Sequence, residues 1–400
     1  GSAAAGLSLA SLGWRGCGRR RSRSLATIGL LAGGAFVVSS IAIFKLDASR
    51  DAGRREAGTG GFALIGQTAL PVVQDLNTAA GREFFGLSDR ELAGVEFVPM
   101  RVREGDEASC LNLNRAQRPR LLGVNPELLA RRGAFTFARV MDGAERRRGW
   151  DLLRRSGDTT GSAVPAIGDV NSIRWALHKK VGETLAFIDE RGRAFDVKLV
   201  GGVANSILQG SLLIDEAEFA SRFPGQSGYR LFLIDCPTNR VAEVSALLSR
   251  ALQDVGLELT PAAARLGQFN AVQNTYLNTF QVLGGLGLLL GSAGLGVVVL
   301  RNVLERRAEL GLLLAVGFRR RRLEALVLIE HAALLGLGLA LGVGAAAAAV
   351  LPTLLTPGAD FPLRSVAWTL GGVLLSGGLW TWLATRLALR GELLAALRNE

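Results

Sequence analysis

Hydrophobic and polar positions are segregated along this chain. Four stretches, 24–45, 279–300, 323–351 and 366–385, are nearly free of charge, and the charged residues are concentrated between them. Each stretch has roughly 20 residues or more, enough for a helix to cross a hydrocarbon layer of about 30 Å. The region from 46 to 270 instead mixes polar and apolar residues at strand and helix periods. The pattern predicts four transmembrane helices plus an α+β domain inserted between helices 1 and 2.

Within the insert, apolar alternation predicts strands over 62–70, 95–102, 184–188, 194–200, 212–214 and 229–234. Asp189, Glu190, Arg191, Gly192 and Arg193 separate two of these runs and supply hairpin chemistry, with Gly192 in the turn. Helices are expected over 77–85, 126–131, 216–223 with Asp215 as N-cap, and 241–255, where Val244, Leu247, Leu248, Ala251 and Leu252 share a face. The charge run and Gly/Thr/Ser tail of 146–161 read as a linker or exposed loop. Leu266, Phe269, Val272, Tyr276 and Phe280 recur every three or four residues ahead of the second apolar run, which predicts one helix entering that run without a break.

Arginine placement orients the spans. Arg19, Arg20, Arg21 and Arg23 precede the first run, seven arginines lie within 301–322, and Arg386, Arg390 and Arg398 follow the last run. Basic residues in short loops remain cytoplasmic, so both termini and the 301–322 loop are expected inside a bacterial inner membrane, with the insert outside. The formal charge of +11 arises from 42 arginines against four lysines, a bias that GC-rich coding also produces. The arginines flank apolar spans and are not interleaved with stacking aromatics, which argues against a nucleic-acid partner. The run after Arg23 is too long for the apolar core of a secretory signal. A leader, 1–23, carries Leu7, Leu9, Leu12 and Trp14 and is a candidate interfacial helix contacting membrane lipid.

Little in the chain suggests catalysis. Lys45, Lys179, Lys180 and Lys198 are the four lysines, and none closes a phosphate-binding G-x-x-x-x-G-K-[ST] loop. His178 and His331 are the two histidines, too few for a multi-histidine metal site, so no metal or catalytic residue is assigned. His178 with Asp169 or Asp189 is the remaining hydrolase arrangement, and a surface histidine explains it as well. Glu330 and His331 open the third run and read as interfacial groups, with a proton path as the alternative. Cys110 and Cys236 both fall in the insert, where one disulfide is available to them, the alternative being two buried thiols. Gly29 and Gly33, Gly287 and Gly291, and Gly338 and Gly342 have small-xxx-small spacing, which favours close helix packing and a dimer.

The stretch Glu305, Arg306, Arg307, Ala308, Glu309, Leu310, Gly311, Leu312, Leu313, Leu314, Ala315, Val316, Gly317 resembles the E-R-R-x-E-[IL]-G-[LI]-L-x-A-[LV]-G signature of FtsX/MacB-like permeases of ABC transporters. The resemblance extends upstream through Gly291 to Gly296 and downstream to Glu330, Gly336, Gly338 and Gly342. Val181, Gly182, Glu183 and Thr184, with Val200, Gly201, Gly202 and Val203, also resemble that family's MacB-like periplasmic domain, whereas 47–155 matches nothing recognisable.

The resemblance implies a mechanotransmission permease, with the 301–322 segment as a coupling helix seated in a cytoplasmic ABC ATPase. That separate chain would bind ATP and Mg, and the external domain would move when it closes. The expected contact residues are Leu304, Glu305, Arg306, Arg307, Glu309, Leu310, Leu313 and Leu314, with Gly317 as C-terminal cap. The implied organisation is 24–45 as the first span, 46–270 as the external domain, 271–300 as stalk and second span, 301–322 as coupling helix, 323–351 and 366–385 as the third and fourth spans around a 352–365 loop, and 386–400 as tail. A second permease copy or half and a periplasmic partner are expected, for export, lipoprotein release or envelope regulation. The alternative from the residues alone is a receptor whose external domain binds a ligand and signals through the basic loop. A helix held on anionic lipid is the simpler alternative for 301–322.

Overall fold

The structure is a computed structural model and describes residues 21–44, 52–106, 118–142, 146–154, 163–354 and 363–389. Among the described residues two compact units form: one from 52–274, the other from 21–44, 275–354 and 363–389.

The first unit is a soluble α+β region built on a mixed ten-stranded sheet. Its strands are β1 (Leu64–Val72), β2 (Glu96–Arg103), β3 (Arg120–Val124), β4 (Phe137–Val140), β5 (Val164–Asp169), β6 (Thr184–Ile188), β7 (Ala194–Val203), β8 (Ser211–Asp215), β9 (Tyr229–Asp235) and β10 (Glu258–Pro261). They lie in the order β10-β1-β9-β2-β3-β8-β5-β7-β4, with β6 also on β7. The β3–β8 and β5–β7 pairs are parallel and the others antiparallel. In the β6–β7 hairpin Gly192 adopts φ 78°, and the Asp189 carboxylate accepts the Arg191 and Arg193 amides, closing the turn the sequence predicts.

Helices cover both faces of this sheet. The first helix of the chain, α1 (Arg21–Phe44), belongs to the other unit, and those of the α+β unit are α2 (Ala79–Phe84), α3 (Pro126–Arg132), α4 (Glu216–Arg222) and α5 (Val241–Ala251). Val244 and Leu248 of α5 pack with Phe97, Phe232 and Ile234. The opposite face of the same strands, through Val98, Met100, Leu231 and Leu233, meets Leu129 of α3. Asp215 caps α4 by accepting the Ala217 amide, and Phe219 lies over Gly123, where a Cβ would come within 2.6 Å of the ring-bearing carbon. The 146–161 segment differs from the linker expectation. Arg146–Leu153 forms a helical turn whose Trp150 and Leu153 are buried in the core, with the indole donating to the Ala134 carbonyl at 2.8 Å, while 155–162 lie outside the described residues.

The second unit is helical. It contains α1, most of α6 (Ala262–Glu305), the short α7 (Arg307–Ala315), α8 (Arg320–Leu354) and α9 (Leu363–Leu389). Among the described residues, three helices, α1, α6 and α8, are long and apolar enough to cross a membrane. The predicted unbroken run through Leu266 and Phe280 is present, α6 being a single helix of 44 residues. Leu266 and Phe269 are buried, whereas Val272, Tyr276 and Phe280 face outward.

Glycine decides where α1 meets α8. A Cβ on Gly342 would lie 2.5 Å from the Ala32 carbonyl oxygen, and one on Gly338 would lie 2.9 Å from the Leu31 Cβ, so only glycine permits this approach. Gly29, Gly33 and Gly287 have open space where a Cβ would stand, and Gly291 reaches only the end of Leu30. Hence α1 presents Leu31, Ala32 and Ala35 to α8, and not its own glycine pair. Ser292 and Ser376 hydroxyls join α6 to α9 at 2.9 Å.

Candidate functional site

The segment between α6 and α8 departs from a plain loop in a way local chemistry explains. Helix α6 closes its last hydrogen bonds at Arg306, whose amide reaches the Asn302 and Val303 carbonyls. Arg306 itself has φ −103° and ψ 17°, outside the helical basin, and its carbonyl then accepts the Leu310 amide to start α7. At the other end the Gly317 amide donates to Leu314 and the Phe318 amide to Leu313, both at 3.0 Å, with Gly317 at φ 101°. A left-handed glycine just past the last turn satisfies the orphan carbonyls and stops the helix. Thus the nine residues of α7 form a separate helix, set off from α6 by the backbone break at Arg306 and stopped by Gly317.

This helix has two distinct faces. Leu310 is buried with Val303, Leu323 and Val327, and Leu313, Leu314 and Phe318 pack against the same cluster. The leucine face expected to meet a partner therefore faces the helical unit, because those side chains complete its core. Ala308, Glu309, Leu312, Ala315 and Val316 are exposed. At 100° per residue these five span about 120° of the helix surface, one continuous outward face. Leu312 is 60% exposed and Val316 73% exposed. Leu304 and Glu305, at the end of α6, are also exposed, and Glu305 accepts from Arg301 at 2.8 Å. Arg307 lies in α7 with its side chain outside the described residues.

Arg306 behaves differently from its neighbours. Its guanidinium reaches Glu309 Oε2 through Nε and Glu330 Oε2 through Nη1, both at 3.1 Å. Glu330 and His331 are buried on α8, and the His331 Nδ1 approaches the Val327 carbonyl at 2.9 Å. Asn302, Arg306, Glu330 and His331 share a cavity of about 10 Å³ with Val303, Leu310, Leu326 and Val327. That is about the space of one water. Arg306 is among the expected coupling-helix contacts, and its partner on α8 lies 24 positions away; the acidic residue at the start of an apolar run is the available signal.

The other candidates separate. In the α+β unit Asp169 is fully buried, accepting Ser206 N at 2.6 Å, Ser206 Oγ at 3.1 Å and Asn171 N at 2.9 Å. Burial pushes its pKa up to about 6 against the opposing pull of these hydrogen bonds. His178 is exposed at φ 52°, while Asp169 is engaged with Ser206 and Asn171 and Asp189 with Arg193, so the structure does not assemble the hydrolase arrangement. Cys236 is a buried thiol whose pKa burial pushes up, with Asp235 adding to the shift. Cys110 lies outside the described residues. No group of three or more metal-ligating side chains occurs among the described residues.

Two long apolar helices, α6 and α8, are thus joined by a separate short helix, in a chain that also carries a large α+β insert. Residues 282–393 match the family model of the FtsX-like permease C-terminal region. The macrolide export ATP-binding/permease protein MacB of Wolinella succinogenes is 29% identical over 158 residues, which are 39% of this chain and 24% of that protein. The chain thus matches about a quarter of that relative's length. Together the two findings support an FtsX/MacB-like ABC transporter permease, and the matched family is a transmembrane component.

Proposed function

We propose that the chain is the permease subunit of a mechanotransmission ABC transporter, coupling ATP hydrolysis by a partner ATPase to movement of its α+β unit. On this reading α9 is a fourth span and the arginine-rich ends of the helices lie in the cytoplasm of a bacterial inner membrane. The α+β unit is then extracytoplasmic, and a second permease copy or half completes the transporter. ATP and Mg are bound by the partner, and the work done outside is export, lipoprotein release or envelope regulation.

One observation carries the reading: α7 is set off from α6 by the helix break at Arg306, is stopped at Gly317, and turns Ala308, Glu309, Leu312, Ala315 and Val316 outward while Leu310 ties it to the core. An apolar ridge beside a carboxylate suits insertion into a groove of a second protein. The test is co-purification of an ATP-binding chain with the protein in detergent. Leu312→Glu is expected to reduce the bound ATPase at least tenfold with no change in melting temperature, and full retention would refute the docking face.

A further inference from the structure

We propose that Arg306 is a positioning residue that fastens the coupling helix α7 to α8 through Glu330, so that force applied to α7 is delivered to α8 as well as along α6. The functional part of this inference rests on the reading of α7 as the coupling helix. The fastening itself rests on geometry alone.

Three features support it. Arg306 sits where α6 ends and α7 begins, at a backbone conformation that breaks the helix, so continuity with α6 is weakest there. Its guanidinium spans the junction, holding Glu309 of α7 and Glu330 of α8, each at 3.1 Å. The Glu330 side chain is only 11% exposed, which strengthens its attraction to the guanidinium and penalises the loss of either partner. A planar fork with several N–H donors can serve two carboxylates at once, whereas an ammonium is a point charge on a flexible stem. Nearby, Leu310 of α7 packs with Leu323 and Val327 of α8, so the ion pair and the apolar contact act between the same two helices. Helix α8 in turn meets α1 through Gly338 and Gly342, an approach with no room for slack. Coupling through packed elements requires contacts that do not slip, and this set supplies them.

Hydrogen exchange of the full chain in lipid nanodiscs tests the fastening without any partner. Arg306→Ala and Glu330→Gln are each expected to speed exchange of the 307–315 amides at least tenfold, with the α+β unit unchanged. The double variant should be no faster than either single one, and the swap Arg306→Glu with Glu330→Arg should recover protection at least in part. Arg306→Lys keeps the charge and the fold and is expected to fall between wild type and Arg306→Ala. Unchanged exchange in these variants, additive singles, or a loss of protection spread evenly over the helical unit would overturn the proposal. In the complex, the nucleotide-dependent exchange change in the α+β unit, taken per bound ATPase, should be lost in Arg306→Ala and recovered in the charge swap, and a change of wild-type size in Arg306→Ala would overturn the proposal. If the ATPase never binds, the proposed function fails while the exchange result on 307–315 still decides the fastening.

Discussion

The two units of this protein both bury apolar side chains but differ in how many large apolar side chains they turn outward. In the α+β unit the large apolar side chains, Phe219, Phe223, Phe232 and Leu233 among them, point inward, and arginines occupy the surface in pairs such as Arg82 with Asp89. In the helical unit Leu290, Leu375 and Leu379 point outward, while Ser292, Glu330, His331, Thr381 and Thr385 are buried. Water drives the first arrangement, since apolar area leaves it at a gain of about 25 cal/mol per Å². Lipid is as apolar as leucine, so the second arrangement depends on close approach and hydrogen bonds, as at Gly342 and the Ser292–Ser376 contact.

The contrast is sharpest where one substitution type is placed in both units. Phe219→Ala removes a ring from the centre of the α+β core, and a loss of about 3–5 kcal/mol in urea unfolding is expected. Leu290→Ala, at an outward position of α6, should change thermal stability in lipid by less than about 0.5 kcal/mol. Arginine reverses the ranking. Leu290→Arg should cost about 3 kcal/mol in membrane insertion assays, whereas Leu70→Arg, on an exposed position of β1, should stay within about 0.5 kcal/mol. Equal costs for the two arginine substitutions would remove the distinction between the units.

A smaller effect comes from Asp169. Its folded pKa of about 6 lies above the usual carboxylate value, so the folded state holds a proton that the unfolded chain has released. The resulting stability is fully present below the unfolded pKa near 4 and lost as pH rises through 6. Unfolding of the α+β unit should therefore require about 1 kcal/mol more at pH 5 than at pH 7.5, and Asp169→Asn should flatten that difference. A wild-type profile that is flat, or that rises with pH over this range, would contradict the assignment to burial.

What the sequence made legible were features with a local signal. The charge-free runs, the Gly192 hairpin, the Asp215 cap and the C-terminal cap at Gly317 all depend on residues within a few positions of one another. The central strands β3 and β5 were missed because each is short and buried on both faces, leaving no alternation to read, and β3 pairs in parallel with β8 about 90 residues downstream. Trp150 was hidden behind a run of arginines, though a lone tryptophan and two leucines there did hint at a core contact. The faces of α7 were only half legible. Its leucines and glutamates were visible as a helix, but which side faces the bundle is set by Leu323, Val327 and Glu330, residues of the next helix.

The central claim is that energy enters at α7 and moves the α+β unit. Its direct measurement is hydrogen exchange of 52–274 in nanodiscs carrying the co-purified ATPase, with and without ATP and vanadate. The account predicts a nucleotide-dependent change in protection in the wild type that Leu312→Glu abolishes while the fold and its melting temperature persist. No change in the wild type, or a change that survives Leu312→Glu, would contradict it.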